Sequence, residues 1–389
     1  MKKSFIIIAS LAVVACQGND LKLDIQDKSQ EIPFTFSAYS NNATKADSHN
    51  NLDYFYKTFN VYGWKSLDNK STWSTVFNNV TNEYFTEDAN GTVVYPTGGI
   101  KVSEEWSSIQ TPAFPAWYYQ NIRFWDKYAT DYQFSAYAPI EASSEVACTS
   151  DGKITIGTSA APVTVETTNL MATPNTTLAY TGFSKDYMTA SSNAKVSAVN
   201  MVFSHELAKF NVKLVLNSSI TTKQDVIVKE VSLKNLNGTS YYDSSNESAT
   251  DYLTGWHTPT TEITYLANGV ASTTDGYKLN GTTPGTDNFS GYYVMERLMI
   301  PQTTAKASVN DKLAEFDEAC VYVKYMIGDE PFESHFALAN LFLGTSTETS
   351  YNFLGGNEYT LTINVGPLPI FFTTEVNTWV NHEATIEAN

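Results

Sequence analysis

Along residues 32–39, the apolar side chains of Ile32, Phe34, Phe36 and Ala38 alternate with Pro33, Thr35, Ser37 and Tyr39. A period of two sends successive side chains to opposite faces, so the stretch predicts a strand with one buried face rather than a helix. Pro33 has no N–H for a ladder, which confines that strand to a sheet edge or makes Pro33 its start. The alternation returns over residues 226–233, 321–327 and 359–365, and shorter strand patterns occupy residues 59–63 and 132–139. Asn90-Gly91 stands between Tyr84-Phe85 and Val93-Val94-Tyr95. That dipeptide supplies the positive backbone angles a two-residue hairpin turn requires.

Composition agrees with the pattern. Aromatic residues make up 13% of the 389 positions, mostly as 24 Tyr and 21 Phe, as suits half-buried pleated strands joined by polar turns. The expected fold class is all-β with few short helices; only residues 311–319 read as a helical turn or two. An apolar fraction of 42% excludes a disordered chain. The length exceeds what one core usually holds. Residues 190–198 are small and polar, which predicts a boundary between an N-terminal unit, 46–198, and a C-terminal unit, 199–389. Residues 199–216 read as one or two strands around a kink. A net charge of −17 repels phosphate backbones and anionic headgroups, so nucleic acid is not an expected partner.

The N-terminus carries an address. Lys2-Lys3, an apolar run over residues 5–14 and Ala15-Cys16 form an export signal, 1–15. The run is shorter than the roughly 20 residues a spanning helix needs. Val13-Val14-Ala15-Cys16 resembles a bacterial lipobox. The resemblance implies cleavage before Cys16, lipid on its sulfur and transient anchoring in the outer membrane; an ordinary signal peptide is the alternative. A polar spacer, 17–30, leads to the alternating strand, within 31–40. Residues 41–51 contain almost nothing to bury and predict an exposed loop, where proteases cut.

Motifs for chemistry are absent. The five histidines, His49, His205, His257, His335 and His382, are scattered singly, and no nucleophile elbow, phosphate loop or metalloprotease helix occurs. His205-Glu206 reads as a structural histidine beside an acid pointing to the other face of the strand. Glu104-Glu105 and Asp317-Glu318 read as solvated charges. Cys148 and Cys320 are either a long-range disulfide or two separate buried thiols, and neither has a ligand partner at zinc spacing. No catalytic residue, metal or cofactor is expected. The aromatic run Trp117-Tyr118-Tyr119 to Trp125 reads as core, with an exposed glycan-binding surface at Trp117 and Tyr118 as the alternative.

Two C-terminal stretches alternate again: Ile370, Phe372, Thr374 and Val376 on one face of the first, and His382, Ala384, Ile386 and Ala388 on one face of the second. Cys16, the 32–39 strand, Ala43-Thr44-Lys45-Ala46, residues 59–63, 132–139 and 203–209, and the closing Tyr359-Thr360-Leu361-Thr362-Ile363 with Val376-Asn377-Thr378-Trp379 together resemble the FimA/Mfa-like fimbrillins of Bacteroidales, subunits of type V pili. The resemblance spans nearly the whole chain, carried by the order and spacing of short motifs. It implies two transthyretin-like β-sandwich domains and a propeptide, 16–45, removed by a trypsin-like protease. Ile32, Phe34, Phe36 and Ala38 would then form a removable pro-strand, replaced by a donor strand of another copy or a related pilus subunit. In the best-studied members of that family the cut follows an arginine; here the matching position is Lys45, followed by Ala46. The candidate donor strand lies within 370–389, at Ile370, Phe372 and Val376 or at Ala384, Ile386 and Ala388. The implied role is a non-enzymatic fimbrial subunit, first an outer-membrane lipoprotein and then part of an extracellular fimbrium, adhering to a host or bacterial surface ligand. An uncleaved anchor subunit is the alternative within the family.

Overall fold

A computed structural model describes residues 32–40, 58–87, 90, 93–94, 116–165, 174, 176, 186–193, 198–217, 224–246, 255–267, 276–286, 288–307, 318–366 and 371–378. Its first half holds β1 (Phe36–Ser40), β2 (Thr58–Ser66), β3 (Ser74–Glu87), β4 (Val93–Val94), β5 (Ala116–Tyr119), β6 (Asp131–Ala138), β7 (Val146–Cys148), β8 (Ile154–Ile156), β9 (Val163–Thr164), β10 (Met188–Ser192) and β11 (Val199–His205). The second half holds β12 (Ala208–Leu216), β13 (Val226–Ser240), β14 (Tyr242–Asp243), β15 (Thr260–Leu266), β16 (Tyr277–Lys278), β17 (Tyr292–Met299), β18 (Gln302–Ala305), β19 (Cys320–Ile327), β20 (Glu330–Ala337), β21 (Ser350–Phe353), β22 (Asn357–Val365) and β23 (Phe371–Thr378). Among the described residues, helix is confined to a 3-10 turn at Ile140–Ser144 and α1 at Leu338–Leu343. The protein is all-β, as its alternation and aromatic content predict. Residues 311–317, where a helical turn was expected, lie outside the described residues.

The largest sheet runs β1-β11-β10-β6-β2-β3-β4, with β5 also on β3. The hairpin expected around Asn90 is present, β3 pairing antiparallel with β4 from Thr86 opposite Val94 to Glu87 opposite Val93, with a connection longer than two residues. A four-stranded sheet, β17-β12-β22-β23, and a larger one, β15-β13-β19-β20 with β9 and β16 on β13, make up most of the second half. No helix among the described residues is long and apolar enough to cross a membrane.

The buried hydrophobic side chains among the described residues form two clusters. The first gathers Phe34, Phe36, Phe59, Phe77, Trp117, Trp125, Phe134 and Met188, and also Val199, Met201 and Phe203 of β11. The second takes the C-terminal strands together with Tyr137, Val146, Ile154, Ile156 and Val163. β11, which begins at the expected boundary between 198 and 199, pairs with β1 and β10. β11 belongs to the first sheet, and residues 190–192 of the small, polar stretch lie in β10, where Ala190 and Ser191 stand opposite Ala136 and Ser135 of β6. Backbone pairing orders them without large side chains. Residues 146–164 leave the first core and pair with the second half, β9 on β13 and β8 on β14. The kink expected within 199–216 falls at Glu206-Leu207, between β11 and β12.

Charge is buried where three strands of the second half meet. Lys209 Nζ lies 2.6 Å from Glu296 Oε1 and 3.5 Å from Glu358 Oε1, and the Asn211 amide donates to Glu358 at 2.6 Å. Burial pushes the Glu296 carboxyl up, against the pull of Lys209. Cys148 and Cys320 are separate free thiols. Burial pushes them up to about 12 and about 11, so neither is a reactive thiolate near neutrality.

Candidate functional site

The N-terminal strand is seated at the end of the large sheet, and its seat is built almost entirely from aromatic rings. β1 runs parallel to β11, from Phe36 opposite Val199 to Ser40 opposite Phe203. β11 is its only ladder partner among the named strands, so β1 is an edge strand, and Pro33 lies ahead of it. Ahead of β1 the chain changes partner. The Phe34 N–H donates to the Arg123 carbonyl and the Trp125 N–H donates to the Ile32 carbonyl, both at 2.9 Å. Pro33 bridges Phe124 there without needing a donor. The Tyr119 hydroxyl donates to the Phe34 carbonyl at 3.2 Å.

Three of the four alternating residues face inward. Phe34 is 0% exposed, Phe36 6% and Ala38 2%. The Phe34 ring centroid lies 4.1 Å from Trp125, 5.3 Å from Phe77, 5.6 Å from Tyr132 and 5.8 Å from Phe134. Phe36 lies 5.4 Å from Phe77, 5.7 Å from Tyr119 and 6.2 Å from both Phe59 and Phe134. Phe77 and Phe134 thus border both seats. They approach each other over Gly63, where a Cβ would stand 2.8 Å from the Phe77 ring and 3.0 Å from the Phe134 ring. Ile32 corrects the expectation of a fourth buried position. It is 51% exposed, because the β11 ladder begins only at Phe36 and one backbone hydrogen bond holds the chain at Ile32.

The strip over residues 123–126 that receives the N-terminal strand is itself fixed. Lys65 Nζ contacts Asp126 Oδ2 at 2.7 Å, and the Asp126 N–H donates to the Tyr132 hydroxyl at 2.7 Å. Although burial opposes it, Lys65 holds the Asp126 carboxyl below the usual range. Trp117, Tyr118 and Tyr119 are buried on β5. The exposed glycan surface read at Trp117 and Tyr118 is therefore corrected: β5 presses them into the first cluster beside Tyr84 and Phe85.

At the other end of the chain, β23 is also an edge strand, antiparallel to β22 with Ile363 opposite Phe372 and Tyr359 opposite Val376. Unlike β1, its residues Thr373, Thr374, Glu375, Val376 and Asn377 are all exposed, Val376 at 44%. Cys16, Lys45, Ala46, Ile370, Ala384, Ile386 and Ala388 lie outside the described residues, as do Glu104 and Glu105.

Sequence reasoning did not foresee the polar seam where β11 turns into β12. His205 Nδ1 stands 2.6 Å from Asp186 Oδ2, and the Thr189 hydroxyl donates to Glu206 at 2.5 Å. The Trp256 indole donates to the Glu206 carbonyl at 2.6 Å. Burial pushes the Glu206 carboxyl up to about 7 against the Thr189 hydrogen bond, and the Asp186 charge adds to the rise. Only the adjacency of His205 and Glu206 was visible in sequence; their partners lie far along the chain. Among the described residues no group of three or more His, Cys, Asp or Glu could hold a metal ion.

No protein-family model and no curated protein matches the chain. Solved structures do resemble it. A candidate cell adhesion protein from Bacteroides uniformis is 14% identical, with a TM-score of 0.47, over 91% of this chain and 100% of its own. A fimbrial protein from Bacteroides vulgatus is 14% identical, with a TM-score of 0.49, over 90% of this chain and 99% of its own. The tip fimbrial protein Mfa3 from Porphyromonas gingivalis, truncated at its C-terminus, is 10% identical with a TM-score of 0.42, over 90% and 100%. At such identities and scores the likeness decides nothing alone, and what the N-terminal strand can do follows from this chain's own residues.

Proposed function

We propose that the protein is a fimbrial subunit, exported as a lipoprotein through Cys16. A trypsin-like protease cuts between Lys45 and Ala46, removes residues 32–40 and readies the subunit to join others by strand exchange in an adhesive fimbrium outside the cell. The observation that carries this reading is the seat of the N-terminal strand: an edge strand, held by the β11 ladder and by backbone hydrogen bonds to residues 123 and 125, with two phenyl rings sunk in the core. Phe34 and Phe36 contribute about 1.5–3 kcal/mol each through burial, so the strand stays in place until it is cut from the chain or displaced. Its loss leaves apolar seats beside an unpaired edge, and an incoming strand can satisfy both at once. The same cut severs the chain from its lipid, coupling release from the membrane to readiness for assembly.

The test is limited trypsin digestion of the full chain, N-terminal sequencing, and uptake of a fluorescent peptide copying residues 32–40. The expected product begins at Ala46 and takes up the peptide, while the uncut chain does not. A first cut elsewhere, or a cut chain that takes up no strand, overturns the reading.

A further inference from the structure

Resting on that strand-exchange reading, we propose that the vacated groove is addressed to a strand of a different subunit, one with aromatic side chains at two alternate positions followed by a small one. The C-terminal segments of a second copy of this chain do not meet that description.

The seats define what fits. Both are lined by rings, share Phe77 and Phe134, and are occupied by phenyl groups two residues apart, the spacing of one face of a strand. The third position is held by Ala38, 2% exposed opposite Met201. The backbone partners fix direction and one prohibition. The occupant runs parallel to β11, and the residue in the first seat must offer an N–H to the Arg123 carbonyl, so it is not proline. The preceding position accepts proline, as Pro33 shows. Rings so closely surrounded leave a dry void when a smaller side chain replaces them, and the void weakens the fit in proportion to its volume.

Neither C-terminal segment carries the pattern. Residues 370–376 read Ile-Phe-Phe-Thr-Thr-Glu-Val, so each face brings only one ring: Phe372 between Ile370 and Thr374, or Phe371 ahead of Thr373. That segment is also committed to β22 through a full antiparallel ladder. Residues 382–388 present Ala384, Ile386 and Ala388 on one face and Glu383, Thr385 and Glu387 on the other, with His382 as the one ring. Either C-terminal segment of a second copy would leave at least one phenyl-sized seat unfilled.

The experiment uses the full chain cut at Lys45, with the fluorescent 32–40 peptide as probe. Three unlabelled competitors are compared: residues 32–40, residues 370–378 and residues 382–389. The 32–40 competitor carrying Phe34→Ala and Phe36→Ala controls for backbone pairing alone. The expected result is displacement by the aromatic strand at a concentration at least about tenfold below either C-terminal peptide, with the double-alanine strand as weak as those two. Size-exclusion of the cut chain alone then shows no growth beyond monomer. Equal competition by a C-terminal peptide, or growth of the cut chain unaided, overturns this partner assignment and leaves strand exchange standing. No uptake of the probe at all sinks strand exchange itself.

Discussion

The two described strands nearest the ends of the chain both lie at sheet edges, yet they are held in opposite ways. β1 turns Phe36 and Ala38 into the aromatic cluster, just after Phe34, and pairs in parallel with β11. β23 pairs antiparallel with β22 along its length while residues 373–377 stay exposed. An edge position makes a strand removable, but burial decides what removal costs. Taking away β1 opens a core; taking away β23 beyond Phe372 strips a ladder and little apolar surface. The N-terminal strand therefore behaves as a plug, and the C-terminal one as an appended rib.

Substitution should separate them most sharply at Phe34. Phe34→Ala is expected to cost about 3–5 kcal/mol, since the ring is fully buried among four others. Urea denaturation of the uncut chain measures it, and a loss under 1 kcal/mol would mean the plug is not part of the core. Next in size is a pH effect beside the plug's ladder partner. With the Glu206 carboxyl raised to about 7, stability should fall as pH climbs from the ordinary carboxylate range toward 7 and level off above it, because the unfolded chain gives up that proton sooner. At about 1.4 kcal/mol per pKa unit the effect is capped near 3 kcal/mol. Glu206→Gln should remove this component, read as the wild-type-minus-variant difference between pH 5 and pH 8; a constant difference contradicts the assignment.

Gly63→Ala tests the floor of the groove without touching the plug. A methyl group there forces Phe77 and Phe134 apart, and overpacking of this kind costs about 1–3 kcal/mol. Faster release of the plug after cleavage at Lys45 is the expected outcome; unchanged release means the rings relax elsewhere. The smallest effect belongs to β23. Val376→Ala should shift stability by no more than about 0.5 kcal/mol, and a loss of 2 kcal/mol or more would show that a neighbour covers this face.

Much of the groove was legible in sequence. The alternation from Phe34 to Ala38, the hairpin around Asn90 and the burial of Trp117–Tyr119 all follow from local geometry and side-chain type. Ile32 was not legible: it continues the alternation, but the ladder that would have turned it inward starts four residues later. The allegiance of β10 and β11 was hidden as well, because small residues make a strand only when neighbours such as β6 supply the ladder. Lys209, Glu296 and Glu358 carry no local sign of their meeting; each sits in an unremarkable strand, on three separate pieces of chain.

Residue order alone settled that this chain forms strands, which face of each is apolar, and where turns interrupt them, since backbone pleating and chirality act between immediate neighbours. Folding in three dimensions settled which strands became edges, that residues 146–164 joined the second core, and that two phenyl rings near the N-terminus found an aromatic seat. Those outcomes depend on pairings between residues dozens to more than a hundred positions apart, Ile156 with Tyr242 and Phe36 with Val199 among them, and no local pattern encodes a partner at that distance.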